Sequence, residues 1–261
     1  MKLHSLLSSI GALTGAALIA VLYFTIGLGW IMLTVVSIVI LAAYITAAVS
    51  VKPALKLSEF SRGLLLGLNS CLNGFLVFSL MSTLSPVAAA TIAGITIGVI
   101  NFLTALHWLS QTEVYQGIIG WSNWVLPMSW PIVGLGLCFL LFSLLLAVVT
   151  GFRVNYLKLQ GIKIDWPTGT IFIRGGLVSN INAWDTAFNM GNFAFVDMNS
   201  SHWEIKHEAG HTLNLAAFGW IFHLIGAIDE IVLHRGANAY SERIAESNDS
   251  GAGGNNIPMW S

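Results

Sequence analysis

LHSLLSSIGALTGAALIAVLYFTIGLGWIMLTVVSIVILAAYITAAVSV, residues 3–51, lies between Lys2 and Lys52 and contains no Asp, Glu, Lys or Arg. A helix that crosses the hydrocarbon core of a membrane takes about 20 residues at about 1.5 Å of rise per residue. The run is therefore two crossings rather than one. Gly27, Leu28, Gly29 and Trp30 mark the turn between them, since glycine permits a tight reversal and tryptophan suits the headgroup layer. The opening imitates a secretory signal, but its apolar stretch exceeds the roughly 7 to 15 residues of a signal core and continues into the second span, which predicts an uncleaved first helix.

The same reading extends along the chain. Residues 63–112, between Arg62 and Glu113, are again uncharged and are broken by Ser82, Ser85 and Pro86, which predicts two more crossings. Residues 131–150 form a fifth apolar segment, so five spans are expected. Between the fourth and fifth, Trp108, Tyr115, Trp121, Trp124 and Trp130 stand among Gly, Ser, Asn and Pro, a mixture expected to lie along the membrane interface, with a re-entrant segment as the alternative. Gly11 and Gly15, Gly63 and Gly67, and Gly94 and Gly98 are pairs of small residues one turn apart that let helices approach closely, and they are also candidate surfaces for membrane-protein partners. Asn69 and Asn73 share one helix face and Asn101 sits in the next helix, an arrangement suited to hydrogen bonds between helices.

Composition agrees with a chain in two parts. Of 261 residues, 11 are Lys or Arg and 12 are Asp or Glu, 9% charged at a mean hydropathy of +0.77, where a soluble domain carries about 25%. Residues 1–150 hold four Lys/Arg and two Asp/Glu, and residues 151–261 hold seven and ten. The expected organisation is an α-helical bundle of five transmembrane helices over 1–150, immersed in the lipid bilayer, followed by a small water-compatible α+β domain over 151–261 with a flexible tail. The net charge of −1 without a run of like charges excludes nucleic acid as a partner. Cys71 and Cys138 both fall in apolar stretches, which excludes a secreted disulfide framework. Lys2, Lys52, Lys56 and Arg62 against Arg153, Lys158 and Lys163 favour an inside N-terminus, and five spans then put the C-terminal domain on the non-cytoplasmic side. In that domain strands are expected over 153–160, 168–174 and 193–197. A helical region follows over 201–233, divided near Gly219 or Gly226, and then a last helix over 237–247.

The chemistry is concentrated in His207-Glu-Ala-Gly-His211. On a helix, His207 and His211 present two imidazoles on one face, the spacing that two ligands of a tetrahedral zinc ion require, and Glu208 projects beside them. Zinc lowers the pKa of a bound water to about 7, and a neighbouring carboxylate takes the proton and returns it to a leaving amine. Glu208 is therefore the candidate general base and acid. A catalytic zinc site takes three protein ligands, so one more is needed from among Asp229, Glu230, His234, Glu242 and Glu246. Glu242, in Ser241-Glu-Arg-Ile-Ala-Glu246, is the preferred one, with Glu246 one turn on as a hydrogen-bond partner for a ligand histidine. Asp229 and Glu230 are held in reserve. Gly210 and Ala245 are small enough for the two helices to touch. Tyr240 and His234 are candidates to stabilise an oxyanion.

HEAGH with a later ExxAE resembles the glutamate-zincin metallopeptidases. GHTLNLAAFGWIFHLIGAI, after Gly191-Asn-Phe-Ala-Phe195, is similar to bacterial peptidase-type domains reading GHTxQxxxLGxLYxxxxGI after a GNxxFx strand. The resemblance covers about residues 190–248 and none of the membrane part. It implies a zincin-like fold for the C-terminal domain, zinc on His207, His211 and Glu242 with Glu208 catalytic, a peptide or protein substrate and a bacterial inner-membrane location. Asn214 stands where the family often has Gln, and Glu246 where Asp or Asn is usual.

The expected function is a membrane-anchored zinc metallopeptidase. The alternative is a non-catalytic structural or assembly subunit of a membrane complex, with a domain stabilised by zinc. A site within the bilayer, as in intramembrane proteases similar to the site-2 class, is disfavoured. Residues 213–228 fall short of the roughly 20 needed to span, Glu204, Lys206, Glu208, Asp229 and Glu230 flank them closely, and the LDG-type third ligand of that class is absent.

Overall fold

The computed structural model describes residues 3–49, 56–106, 109, 112–181, 187–196, 202–234 and 238–245. The five expected crossings are helices α1 (Leu3–Ile26), α2 (Trp30–Val49), α3 (Lys56–Ser82), α4 (Val87–Phe102) and α6 (Trp130–Val149), with a short α5 (Glu113–Ser122) before the last. Gly27 makes the first turn at φ 69°, a backbone state that suits glycine. Pro86, with no N–H to leave unsatisfied, stands just before α4. The glycine pairs bring helix backbones of this chain together. A methyl group on Gly63 or Gly67 of α3 would come within 1.9 Å of the Ser8 or Ala12 carbonyl oxygen of α1, and one on Gly94 of α4 within 2.7 Å of the Gly74 oxygen of α3.

Four strands follow in the order β1-β2-β4-β3: β1 (Leu159–Asp165), β2 (Thr170–Gly175), β3 (Ala187–Met190) and β4 (Phe193–Val196), with a short helix α7 (Leu177–Ile181) after β2. β1 and β3 pair antiparallel to β2 and β4, and β2 lies parallel to β4. The first strand begins six residues later than expected, because residues 155–157 close a 3₁₀ turn before it. β3, too short for an alternating pattern to be legible, pairs with β4 around a turn at Gly191, φ 76°.

Helix α8 (His202–Ile228) carries the HEAGH motif, runs into a π-turn (Asp229–Leu233) and is followed by α9 (Tyr240–Ala245). Here two expectations need correction. Among the described residues six helices, not five, are long and apolar enough to cross a membrane, and the sixth is His207–Leu233, 27 residues at a mean hydropathy of 1.6. The shortness held against a site in the bilayer therefore disappears. Glu208 and Asp229, read as charges flanking a short apolar run, are instead buried inside the protein at 5% and 2% exposure. α8 packs against α2, α3 and α5 as well as against the sheet, and one apolar core joins Val36, Ile40, Leu65 and Leu68 to Leu213, Phe218, Phe222 and Ile244.

α8 is broken where glycine allowed it. Gly219 has φ 80° and ψ 176°, outside the helical range, and the carbonyls of the turn before it lose their helical partners. Asn69 Nδ2 reaches the Ala216 and Ala217 oxygens at 3.0 Å each, and Asn101 Nδ2 reaches the Ala216 oxygen at 2.7 Å. On the other side of the break, Trp220 N donates to the Met128 oxygen at 2.8 Å, while Met128 N donates to Asn73 Oδ1 at 2.9 Å. Met128, in the segment between α5 and α6, thus bridges α3 and α8. Irregular backbone among apolar helices is tolerated when every freed group finds such a partner.

Candidate metal centre

Helical periodicity puts His207 and His211 on one face of α8, and the fold brings Glu242 of α9 up to them. Glu242 Oε2 is 2.8 Å from His207 Nε2 and 3.2 Å from His211 Nε2, and the two Nε2 atoms are 3.1 Å apart. These are the edges of a small triangle of donors. Zinc bonds of about 2.0 to 2.2 Å at tetrahedral angles put neighbouring ligand atoms about 3.3 Å apart, so the three residues fit a zinc ion with little adjustment. Among the described residues they are the one group of His, Cys, Asp and Glu side chains with ligating atoms gathered in this way.

Burial gives the cluster its electrostatic character. His207, His211 and Glu242 are 8%, 9% and 8% exposed. Burial alone would push the Glu242 carboxyl up, but His211 and His207 beside it hold it well below the usual carboxylate range. Glu242 is thus an anion facing two imidazoles, the charge state a metal ligand needs. Glu208, next along the helix from His207, is buried too. Its backbone oxygen accepts a 2.9 Å bond from Asn189 Nδ2 of β3, and the same nitrogen reaches Thr212 Oγ1 at 3.0 Å. Thr212 Oγ1 donates in turn to the Gly191 oxygen at 2.8 Å and accepts from Thr170 Oγ1 at 2.9 Å. The sheet therefore grips the motif helix at the turn that carries Glu208.

Asp229, Glu230 and His234 are not among the three converging residues. Asp229 Oδ1 is bonded to His234 Nδ1 at 2.5 Å, and Asp229 Oδ2 accepts from Tyr44 Oη at 2.7 Å and from Tyr240 N at 3.0 Å. Asp229 is thus a hub of hydrogen bonds, separate from the three converging ligand atoms. His234, more than half exposed, is paired with Asp229. Tyr240 packs its ring against Tyr44 and Phe222, and burial pushes its hydroxyl pKa up. Glu230, in the π-turn, is also outside the group. Glu246 lies outside the described residues. Asn214 Nδ2 donates to the Ser241 oxygen at 3.3 Å and so ties α8 to α9. Tyr44, Asn189 and Thr212 escape a sequence reading. Tyr44 sits in an apolar helix and Asn189 in an unforeseen strand, and only the place of Thr212 directly after the second histidine signals its role.

No family model, curated protein or solved structure matches the chain.

Proposed function

We propose that the chain is a membrane-embedded zinc metallopeptidase that hydrolyses peptide bonds, with its site built on a helix of the bundle. The observation that carries this reading is the convergence of His207, His211 and Glu242, from two helices, to within hydrogen-bond distance of one another. They would hold the ion. Zinc, when bound, supplies Lewis acidity and a water that ionises near neutral pH. Glu208, fixed beside His207 and buried, is the group to take a proton from the attacking water and return it to the leaving nitrogen. In the buried site that carboxylate acts at lower dielectric than in bulk water, which strengthens its interaction with a developing positive charge.

The helix that carries the two histidines is itself long and apolar enough to cross a membrane, which supports a site open to membrane-associated peptide or protein substrates. The test is Glu208→Gln in full-length protein in detergent or liposomes, assayed for zinc content and for cleavage of a peptide library. Retained zinc with cleavage lost supports the peptidase. Retained zinc in a wild-type protein that cleaves nothing, with Glu208→Gln preserving the biological role and His207→Ala abolishing it, would leave the metal-stabilised assembly subunit as the function.

A further inference from the structure

Glu242 rides on a helix of only six residues, Tyr240–Ala245. Isolated helices shorter than about 12 residues are marginal in water, and their first turn leaves N–H groups without internal partners. In this protein other elements supply those partners. Tyr240 N donates to Asp229 Oδ2 at 3.0 Å, and Ser241 N donates to Tyr44 Oη at 3.3 Å. Tyr44 Oη donates its own proton to Asp229 Oδ2 at 2.7 Å, so one hydroxyl of α2 both accepts from α9 and holds the acceptor of its neighbour. Tyr44 is 3% exposed and Asp229 2%. The Tyr44 ring stands at 5.3 Å and 89° to the Tyr240 ring and at 5.2 Å from Phe222 of α8. Gly226 completes the seat, since a methyl group there would come within 2.6 Å of the Ser241 side chain.

We infer that Tyr44 and Asp229 are positioning residues: together they cap the start of α9 and hold Glu242 against the two histidines, so that bundle helix α2 sets the geometry of the metal site. This rests on the metal-centre reading above. Asp229, one of the reserve ligands, serves the site by placing another carboxylate. His234 Nδ1 occupies the second carboxylate oxygen of Asp229 and fixes its orientation.

The experiment measures zinc affinity by chelator competition, the cobalt(II) absorption spectrum and thermal unfolding of the metal-free protein, for full-length wild type, Tyr44→Phe, Asp229→Asn and Tyr115→Phe. Losing a partner that orients a ligand costs about 10- to 100-fold in metal affinity. Tyr44→Phe is expected to lose that much and to shift the cobalt bands, with the metal-free unfolding temperature little changed. Asp229→Asn, which keeps a carbonyl acceptor, is expected to lose less. Tyr115→Phe removes another buried hydroxyl, bonded to the Ile100 oxygen and Thr104, and is expected to leave affinity and bands unchanged. If Tyr44→Phe does not fold, Asp229→Asn decides by the same readouts. Zinc-binding wild type with unchanged affinity and spectrum in both variants overturns the positioning role alone. Wild type that binds no zinc overturns the metal centre, and the positioning role with it.

Discussion

Gly210 lies so close to Ala245 that a methyl group on it would come within 2.4 Å of the Ala245 carbonyl oxygen. The contact joins the turn of α8 between the two histidines to the turn of α9 after Glu242, and it sets how near the carboxylate stands to the imidazoles. Gly210→Ala tests it with an unambiguous sign. In an open helix that change stabilises by about 1 kcal/mol, whereas overpacking a close contact costs about 1 to 3 kcal/mol. The expected result is a lower unfolding temperature together with zinc affinity reduced by about tenfold or more, as for other losses of ligand orientation. An unfolding temperature that rises would show that the two helices separate freely.

Glu242→Ala and Glu230→Ala form a second comparison. Glu242 Oε2 touches both histidines, while Glu230 stands in the π-turn outside the cluster. Removing one of three protein ligands leaves two imidazoles and water, so Glu242→Ala is expected to lose most of the zinc affinity and Glu230→Ala to keep it. Isothermal titration of metal-free protein measures both, and the reverse order would show that Glu242 is not the third ligand.

Asn69→Leu probes the broken helix. The Ala217 oxygen loses its asparagine donor, while Asn101 continues to serve Ala216. A buried acceptor left without a partner costs about 1 to 3 kcal/mol. The unfolding temperature in detergent should fall accordingly. No change would mean that the freed carbonyl finds another donor.

Six crossings return the chain to the side from which it started, whereas five do not. Reporters fused at the N-terminus and after Ser261 are expected to map to the same side of the membrane, with the helix from His207 to Leu233 as the sixth crossing. Opposite sides would mean that α8 packs among the other helices without traversing the bilayer.

How far a sequence speaks for itself is illustrated by Gly210, Ala245 and Glu242. The first two stand out as small residues on two helices, and the third as a glutamate at a suitable distance along the chain. Gly219 and Gly226 likewise stand out as two places where a long helix divides, and the structure breaks it at the first. The role of Asp229 does not. A carboxylate that follows an apolar run looks the same whether it flanks a membrane, binds a metal or accepts hydrogen bonds from a neighbouring helix, and only its partners separate these cases.

The sequence alone determined what depends on distance along the chain: the number of the first five apolar helices, the turns near Gly27 and Pro86, and the two imidazoles one helical turn apart. Hydrocarbon thickness and helical pitch act on consecutive residues, so these features need no knowledge of the fold. Only the tertiary structure decided that α8 belongs to the bundle, that Asn69 and Asn101 mend its break, and that Tyr44 and Asp229 seat the helix of Glu242. Each of these depends on whether a polar group far along the chain meets a partner or faces lipid, and that balance of desolvation against hydrogen bonding is set by packing rather than by spacing.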